Sequence, residues 1–357
     1  MKVGLLTLHR CINYGSYWQA RCLLEGLRAL GHDTRLLDHR TPRLARLEYR
    51  CALDPLQPHP SPRADRPAYA RKVRRFAEAV DALPRTAAFS LDEPGHPDDF
   101  DAVVVGSDEM WNFHHPWYAA CRLFFGEGIR ARRLVAHACT FGNYPAARGL
   151  QSEWTRRLLR FDSISVRDHN SRDLLQQAAG IECPLVLDPC LQFEPGPASP
   201  AVRGPATAIV YGHSFSSWFQ HAARRWARHQ GLRLLSIGYR NDWADEQWLD
   251  PGPEDFAACL AQAGSVLTNF FHGCVFALRF GRPFACEDSP YRSIKVRSLL
   301  RHLDCGDRLA LEGAGPRALA AALDHPLPLS LGQRLAECRA ASHASLAEAL
   351  QPDRAVA

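Results

Sequence analysis

Short, unbroken apolar runs recur along this chain, each followed by a polar turn and then an amphipathic stretch, and few folds accommodate that rhythm. Residues 3–8 are such a run, bounded by polar residues, the pattern of a strand buried on both faces of a parallel sheet. A turn containing Asn13 and Gly15 leads into a helix over 16–30, where Ala20, Leu23, Leu24, Leu27 and Leu30 fall at helical spacing. Gly31 is placed to end it, and residues 34–37 supply a second strand. This βαβ opening specifies a doubly wound sheet. Further strands are expected at 101–105, 134–138, 164–166 and 185–187, with a helix over 68–83 inside the Pro-, Arg- and Ala-rich stretch 41–100.

The pattern then starts again. Residues 194–205, EPGPASPAVRGP, are too rich in proline and glycine for a core element and predict an interdomain linker. Beyond it come strands at 208–211, 232–237, 266–268 and 283–286, with helices over 218–229, 253–263 and 273–280. The expected fold is therefore α/β, with two Rossmann-like domains, residues 1–195 and 196–357, facing a central cleft. A last helix over 331–350 is free to pack back on the body. A chain of 357 residues suits two such domains.

Composition narrows the function. A net charge of +5, with basic and acidic residues intermixed, gives no nucleic-acid stripe. Lysine occurs only at Lys2, Lys72 and Lys295, so most anion-binding side chains are bidentate guanidinium groups. Twelve cysteines show no CxxC pair, which argues for free buried thiols in a reducing compartment. Nor does the spacing of potential ligands suggest a metal centre. The first ten residues are too short and charged for a secretory signal, and the apolar stretch 265–280 is interrupted by Asn269, His272 and Arg279. The expectation is a soluble, cytoplasmic protein without a membrane span, the oligomeric state left open.

Five segments at strand ends carry candidate chemistry. Residues 9–20, HRCINYGSYWQA, contain Asn13, Tyr14 and Gly15 at a helix N-terminus able to present backbone N–H groups to an anion. In GSDEMWN (106–112), Ser107 and Asp108 follow a small-residue turn; Asp108 could act on a hydroxyl or cap the next helix. AHACTFGN (136–143) is the third segment. In SVRDHNS (165–171), Arg167 suits a carboxylate or phosphate clamp, or equally an ion pair with Asp168 or another carboxylate. In TNFFHGCVFALRFGRPF (268–284), His272 and Gly273 lie between strand and helix, facing the expected cleft.

Taken in order, these segments resemble the polysaccharide pyruvyltransferase family, on Ile12-Asn13-Tyr14-Gly15 with Gln19-Ala20, Gly106-Ser107-Asp108 with Trp111-Asn112, Phe141-Gly142, Ser165-Val166-Arg167, Asp188-Pro189 and Phe271-His272-Gly273. The resemblance implies a glycosyltransferase-B-like fold and transfer of pyruvate from phosphoenolpyruvate, as co-substrate and without a further cofactor, to two acceptor hydroxyls as a ketal. Under that reading His272 is the acid or phosphate contact, Asp108 orients or deprotonates the acceptor, and Arg167, Arg292 and Lys295 meet the anion. Four positions depart from the family pattern around the expected cleft: Phe270 for serine, Glu109 for glutamine, Thr140 for serine and His137 for tyrosine. They leave open a diverged transferase acting on a non-sugar acceptor; a nucleotide-sugar glycosyltransferase or a non-catalytic binding module are the other classes.

Overall fold

The computed structural model describes residues 1–91, 99–193 and 207–351. Two separate sheets, each wholly parallel, organise them. The first contains β1 (Lys2–Leu6), β2 (Asp33–Leu36), β3 (Phe100–Val105), β4 (Ala131–Cys139) and β5 (Ser163–Val166) in the order β2-β1-β3-β4-β5. The second contains β6 (Thr207–Tyr211), β7 (Arg233–Ile237), β8 (Glu246–Trp248), β9 (Ser265–Thr268), β10 (Phe284–Glu287) and β11 (Leu309–Ala310), ordered β11-β10-β9-β6-β7-β8. Central strands such as β3 and β9 are buried along most or all of their length, which is why they read as continuous apolar runs.

Each sheet reverses its winding once, between β1 and β3 in the first and between β6 and β9 in the second. Register makes those reversals useful. Leu6 lies opposite Val105 and Tyr211 opposite Thr268, so in each sheet two neighbouring loops leave the same edge together. Open parallel sheets bind ligands at such switch points. The two switch points face each other across a cleft, and the architecture is a pair of Rossmann-like halves in the glycosyltransferase-B-like arrangement.

The helices are α1 (Tyr14–Ala29), α2 (Pro42–Leu53), α3 (Arg66–Asp81), α4 (Ser152–Leu158), α5 (His169–Ala179) and α6 (Pro189–Gln192), then α7 (Ser217–His229), α8 (Pro253–Gln262), α9 (Phe271–Arg279), α10 (Ser293–His302), α11 (Gly315–Asp324) and α12 (Ser330–Ala349). α1 starts because the Asn13 side chain accepts from Ser16 N–H at 3.2 Å, and it stops before Gly31, whose φ of +88° suits only glycine well. One apolar cluster runs from Val3, Leu5 and Leu23 through to Ile209, Phe256 and Val266, so the halves share a core. Polar contacts reinforce it: Trp18 Nε1–H donates to the Pro253 carbonyl and the Tyr14 hydroxyl to that of Pro251, both at 2.9 Å. α12 starts beside α10, where Arg334 donates to the His302 carbonyl, and ends against the first half, where Leu187 N–H donates to Ser342. The expected return of the last helix is thus present.

Several expectations need correction. Residues 185–187 do not form a strand; Leu185 makes only an isolated bridge to Val166. The 41–100 stretch holds an additional helix, α2, hidden because Leu44 is its only buried residue. His272 is not in a loop but in the first turn of α9. The expected linker 194–205 and the domain boundary at 195/196 lie outside the described residues. Among the described residues no helix is long and apolar enough to cross a membrane.

Candidate active site

Between the switch points lies a cavity of about 530 Å³. The loop after β1 contributes Cys11 and Asn13, the loop after β3 contributes Asp108 and Glu109, and α2 and α3 bring Glu48 and Lys72. The second half closes it with Tyr211, His213, Tyr239, Phe270, His272, Arg292 and Lys295.

A buried charge network backs one wall. Arg167, with 1% of its side chain exposed, donates to Asp108 at 2.9 Å and also to Asp188, while the ring of Phe271 lies 4.7 Å away. Burial alone would raise the Asp108 pKa, but Arg167, His272, Lys295 and a 2.9 Å hydrogen bond from Ser16 bring it down to about 2. Asp188 is likewise held low despite burial, chiefly by Arg167 and then His272. Asp108 also has φ +91°, a backbone region that non-glycine residues rarely occupy and that recurs at functional sites. It caps no helix. Arg167 is the ion-paired alternative rather than a free clamp, with Asp108 and Asp188 as partners; Asp168 instead caps α5 through Ser171 N–H at 2.7 Å.

His272 stands over this network. Its Nε2 is 3.5 Å from Asp188, beyond a formed hydrogen bond in this geometry, and is buried without a hydrogen-bond partner. On its other side the ring packs on Gly15, where any Cβ would collide with it. Gly273 plays the matching part for Thr268, whose Cβ would lie 2.7 Å from an added methyl. Gly15 therefore positions the imidazole by close approach, and Gly273 lets the first turn of α9 pack on the end of β9. Lys295 forms an ion pair with Glu109, which also accepts from Asn112 at 2.6 Å. The Arg292 guanidinium lies 4.2 Å above the Phe270 ring and has no hydrogen-bond or ion-pair partner among the described residues.

Two other expected contacts are structural. Tyr14 is fully buried, stacked at 4.3 Å on Phe256, and does not line the cavity. Ser107 is fully buried too; its hydroxyl accepts from Arg167 at 3.1 Å and its N–H donates to Gln19 at 3.1 Å. Of the four departures, Phe270 and Glu109 face the cavity, whereas His137 and Thr140 are buried away from its lining, His137 against Gln192 and Ser165. Asp188, Cys190 and His272 bring potential ligand atoms within 4.8 Å of one another, a grouping that sequence spacing conceals. The residues fit a cation poorly: Asp188 already faces a guanidinium, and burial beside Cys22 pushes the Cys190 thiol well up.

Glu48 and Lys72 are the cavity groups that sequence reasoning missed. Among the described residues Glu48 is the one cavity carboxyl with no cationic partner; burial raises it to about 7 although Cys11 and Ile12 N–H hydrogen-bond to it. Lys72 is 4% exposed, donates to the Gly238 carbonyl at 2.8 Å, and is lowered to about 7 by burial. A sequence signal existed for it: Tyr69, Lys72, Phe76 and Val80 form the buried stripe of α3, and a lysine on such a stripe is unusual.

Comparison with known proteins adds a family. Searching curated protein sequences gives no match. Solved structures that match this chain include a putative UDP-N-acetylglucosamine 2-epimerase from Listeria monocytogenes, 11% identical, covering 98% of this chain and 90% of that one, with a TM-score of 0.46. The ADP-heptose LPS heptosyltransferase II of E. coli is 11% identical over 94% of this chain and 99% of its own, with a TM-score of 0.41. The model of the polysaccharide pyruvyl transferase family matches residues 13–289, a span that contains Asn13, Asp108, Arg167 and His272 and stops short of Arg292 and Lys295. The chain is a transferase enzyme and belongs to the polysaccharide pyruvyl transferase family.

Proposed function

We propose that this enzyme transfers pyruvate from phosphoenolpyruvate to two hydroxyls of a sugar or glycan acceptor, forming a ketal and releasing phosphate. The observation that carries this is His272: an imidazole on the cavity wall, backed by Asp188, with a buried ring nitrogen lacking a hydrogen-bond partner. In the imidazolium form it protonates the methylene carbon of the donor, and the neighbouring carbon becomes an oxocarbenium-like centre that an acceptor hydroxyl attacks. The second hydroxyl attacks the same carbon as the C–O bond to phosphate breaks. Of the two hydroxyl protons, one balances the new methyl group and the other leaves with phosphate.

Asp108, ionised and shared between Arg167 and Ser16, is a poor base and orients the acceptor. Glu48, unpaired and raised to about 7, is the carboxyl suited to take the hydroxyl proton. Arg292, together with Lys295 where it is not held by Glu109, meets the donor's charges. No metal is needed by this scheme. Twelve free thiols support a reducing, cytoplasmic setting.

A second reading, transfer to a non-sugar acceptor, is favoured by the aromatic wall of Tyr211, Tyr239 and Phe270, the last standing where the family motif has serine. Two measurements test the proposal. Phosphoenolpyruvate should raise the melting temperature, and His272→Ala should abolish phosphate release in the presence of a diol acceptor while keeping the far-ultraviolet circular dichroism. Near-wild-type turnover in that variant would refute the role of His272; protection by a nucleoside diphosphate but not by phosphoenolpyruvate would point to a nucleotide-sugar enzyme instead.

A further inference from the structure

The cavity is electrically lopsided. Around Asp108 and Glu109 every cation has its counter-ion. At the opposite end, against the second sheet, Lys72, His213 and Arg292 gather without a single carboxylate partner among the described residues. Ring contacts fix how close they are. His213, Tyr239 and Phe270 touch one another with centroids 5.2–5.4 Å apart. Lys72 Nζ lies 4.5 Å from the Tyr239 ring, and the Arg292 guanidinium lies 4.2 Å from that of Phe270.

Cation–π contact offsets part of the cost of holding an ammonium and a guanidinium in a half-dry pocket, but it leaves their donors largely unused. The Lys72 ammonium has three donors and one hydrogen bond, to the Gly238 carbonyl. Arg292 has five and makes none with a side chain or carbonyl. Empty, such a site suppresses its own charge: burial lowers Lys72 to about 7, and burial with the fields of Arg292 and Lys72 lowers His213 to about 4. A ligand that brings negative charge reverses both effects.

We propose that Lys72, His213 and Arg292 form a phosphate-binding subsite on the aromatic wall of the cavity, separate from the Asp108–Arg167–His272 network. The dianion would accept from Lys72 and from the Arg292 fork, with Phe270 and Tyr239 as the floor beneath. It can belong to either of two substrates under the pyruvyl-transfer reading: the donor's own phosphate, or a phosphate carried by the acceptor. The binding claim itself does not depend on that reading.

The experiment is isothermal titration of the full-length protein at pH 8, in two buffers of different ionisation enthalpy, with inorganic phosphate, phosphoenolpyruvate and glucose 1-phosphate in turn. Wild-type protein should bind inorganic phosphate saturably and take up about one proton, because the anion returns Lys72 to its charged form. The titratable and charged groups facing Lys72 are Tyr14, Tyr239, His213, Arg292 and Glu48; the tyrosines are uncharged at pH 8 and Arg292 does not titrate there. Lys72→Met keeps the side-chain length and removes the charge, so it should abolish most of the uptake and weaken phosphate binding about tenfold to a hundredfold. Arg292→Gln should weaken binding by a similar factor and leave the uptake in place. If Lys72→Met does not fold, Arg292→Gln and the wild-type proton uptake still decide.

Loss of affinity for phosphoenolpyruvate in both variants assigns the subsite to the donor; loss for glucose 1-phosphate alone assigns it to the acceptor. The proposal fails if wild-type protein binds none of the three, or if both variants bind phosphate as the wild type does. Lys72-dependent phosphate binding in a protein that never transfers pyruvate would sink the pyruvyl-transfer reading and leave the subsite standing.

Discussion

Replacing Gly15 by alanine separates the positioning of His272 from the stability of the helix that positions it. An added methyl would sit 2.5 Å from Cε1 of His272 and closer still to Nδ1. Carbon atoms in contact lie about 3.5 Å apart, so the ring must retreat by at least about 1 Å. A displacement of that size at a catalytic group costs on the order of 10² in rate, about 2.7 kcal/mol. Stability is a separate readout. Overpacking costs about 1–3 kcal/mol, and at the second residue of α1 alanine recovers only part of the roughly 1 kcal/mol it gains over glycine in a helix interior, so the melting temperature should fall by a few degrees while the protein stays folded. Gly26, further along α1, supplies the control: its added methyl would meet Cε1 of Phe193 at 2.5 Å, away from the cavity. Phosphate release from phosphoenolpyruvate with a diol acceptor, set beside thermal melts, should show Gly15→Ala slow and folded, and Gly26→Ala less stable but with wild-type turnover. Wild-type turnover in Gly15→Ala would refute the argument that close approach at this glycine fixes the imidazole.

Two further perturbations probe the charged groups. Asp108→Asn leaves Arg167 buried with Asp188 as its one remaining carboxylate partner and should cost about 1–3 kcal/mol, read as a lower urea midpoint at pH 7. The acid side gives an independent check: the folded pKa of about 2 lies below the unfolded 3.8, so Asp108 contributes about 2 kcal/mol that is present above pH 3.8 and fades as pH falls through 2, and the variant's stability should be flatter across that window. Glu48→Gln should show the opposite sign. Its folded pKa of about 7 exceeds the unfolded 4.5, so the stability Glu48 lends is full below pH 4.5 and is lost as pH rises through 7; relative to Glu48→Gln, wild-type protein should weaken between those limits, and in turnover the variant should lose the acidic limb near pH 7. A pH-independent stability difference would remove Glu48 from that role.

Much of the fold was readable because parallel strands buried on both faces leave contiguous apolar runs, as β1, β3 and β6 do, and because α1 carries its start signal at Asn13 and its stop at Gly31. α2 was not readable, since a helix that buries little beyond Leu44 has no stripe to detect. The site divides along the same line. His272, Asp108 and Arg292 lie in or beside ordered motifs and reach the cavity wall. Tyr14 and Ser107 share those motifs yet serve packing and support, because a motif records proximity to a site without saying which side chains turn inward. Arg167 was ambiguous for a different reason: its partners stand 59 and 21 positions away, and nothing local distinguishes a clamp from a buried triad. Glu48 comes from a helix with no stripe and no motif, and its importance arises from dehydration and from the cation it lacks, which a string of residues does not display; Lys72 leaves only the trace of a lysine on the apolar stripe of α3.

The course of α12 bears on how the molecule can breathe. The backbone passes from the first half to the second between α6 and β6, and returns along α12, from His302 beside α10 to Leu187 and Leu191 in the first half. The helix adds to joints that the halves already share: a common apolar core, the hydrogen bonds from Tyr14 and Trp18 to the carbonyls of Pro251 and Pro253, and that of Lys72 to the Gly238 carbonyl. Any opening of the cavity works against this whole set, so the spacing between Glu48 and the aromatic wall is held by packing between the halves rather than by the backbone crossing alone.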